Sequence, residues 1–137
     1  MLYVDTSCMA LLLLGQDGAG KVENLLEQGD RWHSVNSSVL LEIELIRVAR
    51  RTRTPVESAR TLLTNIELLE ISREVVDGAC ALTGELKSLD AIHLASALIL
   101  HSDADPVTVL THDARLAEAA RALGRRGSAG PVARLAC

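Results

Sequence analysis

Four carboxylates fall where a merely solvated charge has little reason to be. Asp5 directly follows the short apolar run Leu2-Tyr3-Val4, and Asp113 follows the run Val107 to Leu110 through Thr111-His112. Asp90 stands in the opening turn of the segment Ser88 to His101, which is otherwise almost wholly apolar. Glu44 lies inside a long amphipathic segment, sharing a stripe with Leu40, Arg47 and Arg51 by the i, i+3, i+4 rule. Each has an ordinary explanation: helix capping for Asp5 and Asp113, a favourable place at a helix dipole for Asp90, an intrahelical pair with Arg47 for Glu44. Taken together, those explanations require four unrelated coincidences. Carboxylates that converge repel one another, and groups so placed shift their pKa upward or bind a cation. Lysine could neutralise them, but the chain has only Lys21 and Lys87. Hard oxygen donors with little His or Cys participation select Mg²⁺ or Mn²⁺, which points to a carboxylate-bound divalent metal acting on a phosphate ester. Spacing leaves open whether Glu44 or Glu42 turns inward, because Glu42 faces roughly the opposite way, beside Ile46 and Ala49.

The elements that must position these acids alternate between strands and helices. Leu2 to Val4 reads as a strand, and Thr6 or Ser7 can cap a helix through Leu14. Gly15 to Gly20 reads as a loop, Val22 to Gln28 as a short helix stopped by Gly29, and Trp32 to Val35 as a second strand. Ser37 or Ser38 opens a long helix to about Arg53, and Pro55 starts another to about Leu63. There follow a strand (Ile66 to Ile71), a helix (Ser72 to Leu82), the apolar helix from Ser88, capped by that serine, to His101, a strand (Val107 to Leu110) and an Ala-rich helix (Asp113 to Leu123) ending at Gly124. The tail, Gly127 to Cys137, has room for a last strand around Val132. Strands separated by helices imply parallel pairing with right-handed crossovers and helices on both faces of a sheet. Ligands of such a sheet bind outside the carboxyl ends of its strands, where Asp5 and Asp113 stand.

Composition bounds the rest. At 137 residues, 48% of them apolar and with a net charge of −4, the chain suits a single domain with one core, and extended disorder is excluded. Tyr3 and Trp32 are the only aromatic residues, so binding that stacks bases on aromatic platforms is excluded too. The acidic balance argues against non-specific duplex binding, although local charge matters more than the total. Cys8, Cys80 and Cys137 are too few and too scattered for a disulfide framework or a zinc knuckle. No signal peptide opens the chain and no apolar run approaches the ~20 residues that span a bilayer, so a cytoplasmic location is expected.

At the acids the chain resembles the PIN-domain family, and within it the VapC ribonuclease toxins of bacterial type II toxin-antitoxin pairs. The matching stretches are Tyr3 to Ser7, Ser37 to Arg47, Ser88 to Ala97 and Val109 to Leu116, in the family's order and at its spacing. The resemblance implies one PIN domain over residues 1–137, an α/β fold built as a three-layer α/β/α sandwich on a central parallel sheet of four to five strands. It makes Asp5, Glu44, Asp90 and Asp113 the catalytic quartet. Asp5 and Asp90, with Asp113 second, become the ligands of Mg²⁺, or Mn²⁺, and Glu44 would bind the metal through water or orient the attacking water. Glu44 is preferred to Glu42 because it stands three residues before Arg47. Thr6, Ser7 and Thr111 match small hydroxyl positions beside the acids. The implied partners are an RNA substrate, a VapB-type antitoxin and a second copy of the chain, with no membrane.

Rival readings fit less well. An aspartyl phosphatase wants Asp-x-Asp after its first strand, whereas Ser7 stands in the second place, and a phospho-receiver domain wants a late lysine, whereas both lysines precede Asp90. A PIN fold that has lost catalysis would not be expected to keep all four acids. His93 lies one turn past Asp90 and could face the site, although a packed core histidine is the ordinary reading. Arg47, Arg50, Arg51 and Arg53, with Arg121, Arg125, Arg126 and Arg134, could form a rim that guides an RNA backbone.

Overall fold

The computed structural model describes residues 1–27, 31–125 and 132–135. The elements run β1 (Leu2–Val4), α1 (Thr6–Leu14), α2 (Ala19–Leu26), β2 (Val35–Ser38), α3 (Leu40–Thr52), α4 (Val56–Leu63), β3 (Glu67–Leu69), α5 (Arg73–Ala81), α6 (Ser88–Leu100), β4 (Thr108–Thr111), α7 (Ala114–Arg125) and β5 (Val132–Leu135). The strands form one five-stranded sheet in the order β3-β2-β1-β4-β5, with every pair parallel.

Side-chain alternation on the central strands divides the core. Leu2 and Val4 of β1 and Leu110 of β4 point to one face, where they pack with Met9, Leu11, Val22, Leu41, Leu45 and Ala59 from α1 to α4. Tyr3 and Val109 point to the other face, against Ala97 of α6. Beside them α6 and α7 pack through Leu94, Leu116, Ala117 and Ala120. The result is the three-layer α/β/α sandwich expected from the alternating pattern. No helix among the described residues is long and apolar enough to cross a membrane.

Several boundaries differ from the sequence expectation, each for a local reason. The second strand is Val35–Ser38 rather than Trp32 to Val35, because a polar stretch pairs with β1 in register Leu2↔Val35 and Tyr3↔Asn36 while the Ser37 hydroxyl donates to the Val4 carbonyl at 2.7 Å. Trp32 instead packs beside α2 and donates its indole N–H to the Leu25 carbonyl at 3.0 Å. Helix α3 consequently opens at Leu40, although Ser38 keeps a capping role by accepting from the Leu40 amide. Helix α2 begins at Ala19, inside the expected loop, because Gly18 takes a left-handed φ of 96° that redirects the chain there. Its expected stop, Gln28 and Gly29, lies outside the described residues. The cap of α1 is Asp5 rather than Thr6 or Ser7, and Ser88 is the first residue of α6 rather than its cap. Strand β4 lies one residue later than expected, so Thr111 belongs to the sheet, and α7 runs through Gly124 to Arg125.

Candidate active site

The strand order reverses between β1 and β4, and the crevice at their carboxyl ends is where a parallel sheet binds ligands. Asp5 leaves β1 at this edge and Thr111 ends β4 beside it, with Asp113 two residues on. Helix α3 follows β2 directly and α6 leads back into β4, so both helices start at the same edge and bring Glu44 and Asp90 there.

Asp5 is only 4% exposed. Its carboxylate accepts from the Thr111 hydroxyl at 2.6 Å, from the Ser7 hydroxyl at 2.7 and 2.8 Å, and from the Cys8 amide at 3.1 Å. Thr111 Oγ1 in turn accepts from the Asp113 amide at 3.0 Å, and Ser7 Oγ from the His112 amide at 2.8 Å. Two hydroxyls thus tie the loop after β4 to the acid after β1. Burial pushes the Asp5 carboxyl above its ordinary range, and the hydrogen bonds of Thr111 and Ser7, the charge of His93 and the Cys8 amide offset this only in part. We expect Thr111→Val to lower stability by about 1–3 kcal/mol, because it strips a donor from a buried carboxylate and an acceptor from a backbone amide. Thr111→Ser should cost far less, and equal urea midpoints for wild type and Thr111→Val would refute the link.

Asp90 is half-buried in the first turn of α6. Its carboxyl is raised by burial first, then by the charges of Asp113 and Asp5, against the opposing pull of His93 and Lys87. Asp90 therefore senses the charges of the other two aspartates. Asp113 also caps α7, its Oδ1 accepting from the Arg115 amide at 2.7 Å and the Leu116 amide at 3.0 Å. The capping roles offered by the sequence hold for both Asp5 and Asp113.

Glu44 is the glutamate that meets the neighbouring helices. Its Oε2 accepts from the Thr6 hydroxyl of α1 at 2.5 Å and lies 3.0 Å from His93 Nε2 of α6. Burial raises this carboxyl, but the His93 and Thr6 hydrogen bonds and the charge of His93 outweigh it, and the group sits below the usual glutamate range. Among the described residues no three His, Cys, Asp or Glu side chains form a ready metal-ligand group, since Asp5 and Glu44 are turned onto hydroxyls and His93. His93, at 3% exposure, is both a core residue and a partner of Glu44. Its position one turn past Asp90 was the signal for it. Arg47, Arg50, Arg51 and Arg53 are exposed along the C-terminal half of α3 and just beyond. Arg126 lies outside the described residues, and the sheet edge carrying Arg134 is described in backbone only.

Residues 2–122 match the family described as PIN domain. The chain belongs to the PIN-domain family, in its VapC group. This PIN chain is 32% identical over 128 residues to Ribonuclease VapC47 of Mycobacterium tuberculosis, covering 90% of the chain and 93% of that protein. It is 31% identical to Ribonuclease VapC35 of the same species over 125 residues, covering 90% and 92%. Among solved structures, VapBC2 from Rickettsia felis bound to a DNA fragment from its promoter superposes with a TM-score of 0.68 at 14% identity, covering 98% of each chain. A toxin-antitoxin complex from Klebsiella pneumoniae gives 0.62 at 20% identity, covering 82% of the PIN chain and 87% of its counterpart. At those identities the structures establish the PIN chain's fold.

Proposed function

We propose that the chain is a divalent-metal-dependent endoribonuclease toxin whose site is Asp5, Glu44, Asp90 and Asp113. The observation that carries this reading is the placement of Asp5 and Asp113 after β1 and β4 at the strand switch point, joined there through the Thr111 hydroxyl. The names of the M. tuberculosis relatives support RNA as the substrate. The donor chemistry fits Mg²⁺ or Mn²⁺: carboxylates are hard oxygen ligands, and a bound cation would offset the charges of Asp113 and Asp5 that raise Asp90. Asp5 and Asp90 would hold the ion, with Asp113 beside them. When bound, the ion supplies polarisation of a phosphoryl oxygen and stabilisation of charge on the leaving 3′-oxygen.

The chain's own residues supply the rest. Glu44, kept ionised by its two donors, orients the attacking water and takes its proton. Thr111 and Ser7 hold Asp5 in a single orientation. The arginines of α3 guide the RNA backbone without reading its sequence. A VapB-type antitoxin, a second copy of the chain and a cytoplasmic site of action belong to the same reading, the first supported by the fold neighbours being toxin-antitoxin assemblies.

Purified protein should cleave single-stranded or structured RNA in Mg²⁺ or Mn²⁺. EDTA should stop the reaction and excess Mg²⁺ restore it. Intact RNA under all of these conditions, together with normal growth of cells expressing the chain without an antitoxin, would overturn the proposal.

A further inference from the structure

A hydrogen-bonded line crosses three layers of the fold and ends on Glu44. The hydroxyl of Tyr3, buried in β1, lies 2.9 Å from His93 Nδ1, with the two rings edge-on at 76° and 6.0 Å between centroids. On its other side the imidazole reaches Glu44 through Nε2. An ionised carboxylate only accepts, so Nε2 carries the ring proton in either charge state. In the neutral ring Nδ1 then accepts, and the Tyr3 hydroxyl, 2.9 Å away, is its donor. Thr6 and His93 both converge on Glu44 Oε2, and two bonds to one oxygen of a planar group set the direction of the other.

We propose that His93, oriented by Tyr3 as the Nε2–H tautomer, is a positioning residue that aims the Glu44 carboxylate at the reacting water. The inference rests on the ribonuclease reading above and adds two residues to it, neither of which touches RNA. A histidine that only filled the core would be replaceable by any side chain of similar volume. A positioning histidine is replaceable only by a side chain that puts a donor at the place of Nε2, which glutamine does and leucine does not.

His93→Leu should lower kcat by about 10- to 100-fold, the usual cost of removing a partner that orients a site residue. KM for RNA should stay within about 2-fold, since no ground-state contact is lost. His93→Gln should recover most of the rate, and Tyr3→Phe should fall between the two because Nδ1 loses its donor. A ¹⁵N-histidine spectrum of the unliganded protein reads the tautomer without turnover, the His93 signals being those that disappear in His93→Gln. Whenever the ring is neutral, a protonated Nε2 with a bare Nδ1 is expected. An Nδ1–H pattern, or equal rates for the Leu and Gln variants of an active protein, overturns the His93 assignment alone. A wild-type protein that cleaves no RNA overturns the ribonuclease reading and this inference with it.

Discussion

Asp5→Asn is expected to lower RNA cleavage by about 100- to 1000-fold, the scale on which losing one preorganised charged group acts. The loss should not come from unfolding. The Ser7 and Thr111 hydroxyls that donate to Asp5 can rotate to accept from an amide, so the asparagine keeps partners in the same place. Removing the charge also removes a penalty. Burial holds the Asp5 carboxyl above its ordinary range, so the folded protein takes up that proton at a higher pH than the unfolded chain. Between the unfolded and folded pKa values the native state binds more protons, and stability falls as pH rises through that window.

Asp90, raised by burial and by Asp113 and Asp5, contributes with the same sign. In EDTA the urea midpoints of wild type and Asp5→Asn should therefore change with pH differently, the variant gaining on wild type as pH rises above the ordinary aspartate range. Added Mg²⁺ should then stabilise wild type more than the variant, because a ligand bound only by the folded state shifts its stability. Parallel pH profiles with equal cleavage rates would remove Asp5 from the site.

How much of this could be seen in the sequence depended on whether the information was local. The strand before Asp5 and the apolar helix after Ser88 announce themselves by periodicity, and Asp5 and Asp113 by following apolar runs at what proved to be one edge of the sheet. The strand Val35–Ser38 does not, because two serines and an asparagine carry no hydrophobic alternation and its hold on β1 includes a side-chain bond, Ser37 to Val4. Charge pairing misled in the same way. A stripe on one helix offered Glu44 the local partner Arg47, whereas its observed partners lie 38 and 49 residues away in sequence, on α1 and α6. The family resemblance chose Glu44 over Glu42, and the structure bonds Glu44 to Thr6 of α1 and His93 of α6.

The second large effect separates those two glutamates. Glu44→Gln should cut kcat by about 100-fold or more, the typical contribution of a positioned general base. Glu42→Gln should leave it within about 2-fold, as changes away from an active group do. The stability signature of Glu44 is opposite to that of Asp5. Its folded pKa lies below the unfolded value, so its contribution is present above the unfolded pKa and is lost as pH falls through the folded one. Glu44→Gln should thus be less stable than wild type at neutral pH, where the Thr6 hydroxyl and the His93 ring lose a charged acceptor, and the deficit should shrink in acid. The two acids then differ in kind: Asp5 is held at a cost to the fold and Glu44 is held by partners that favour its charge. On the proposed reading, that division suits Asp5 as a metal ligand and Glu44 as a base. An inactive Glu42→Gln with an active Glu44→Gln would reverse the assignment.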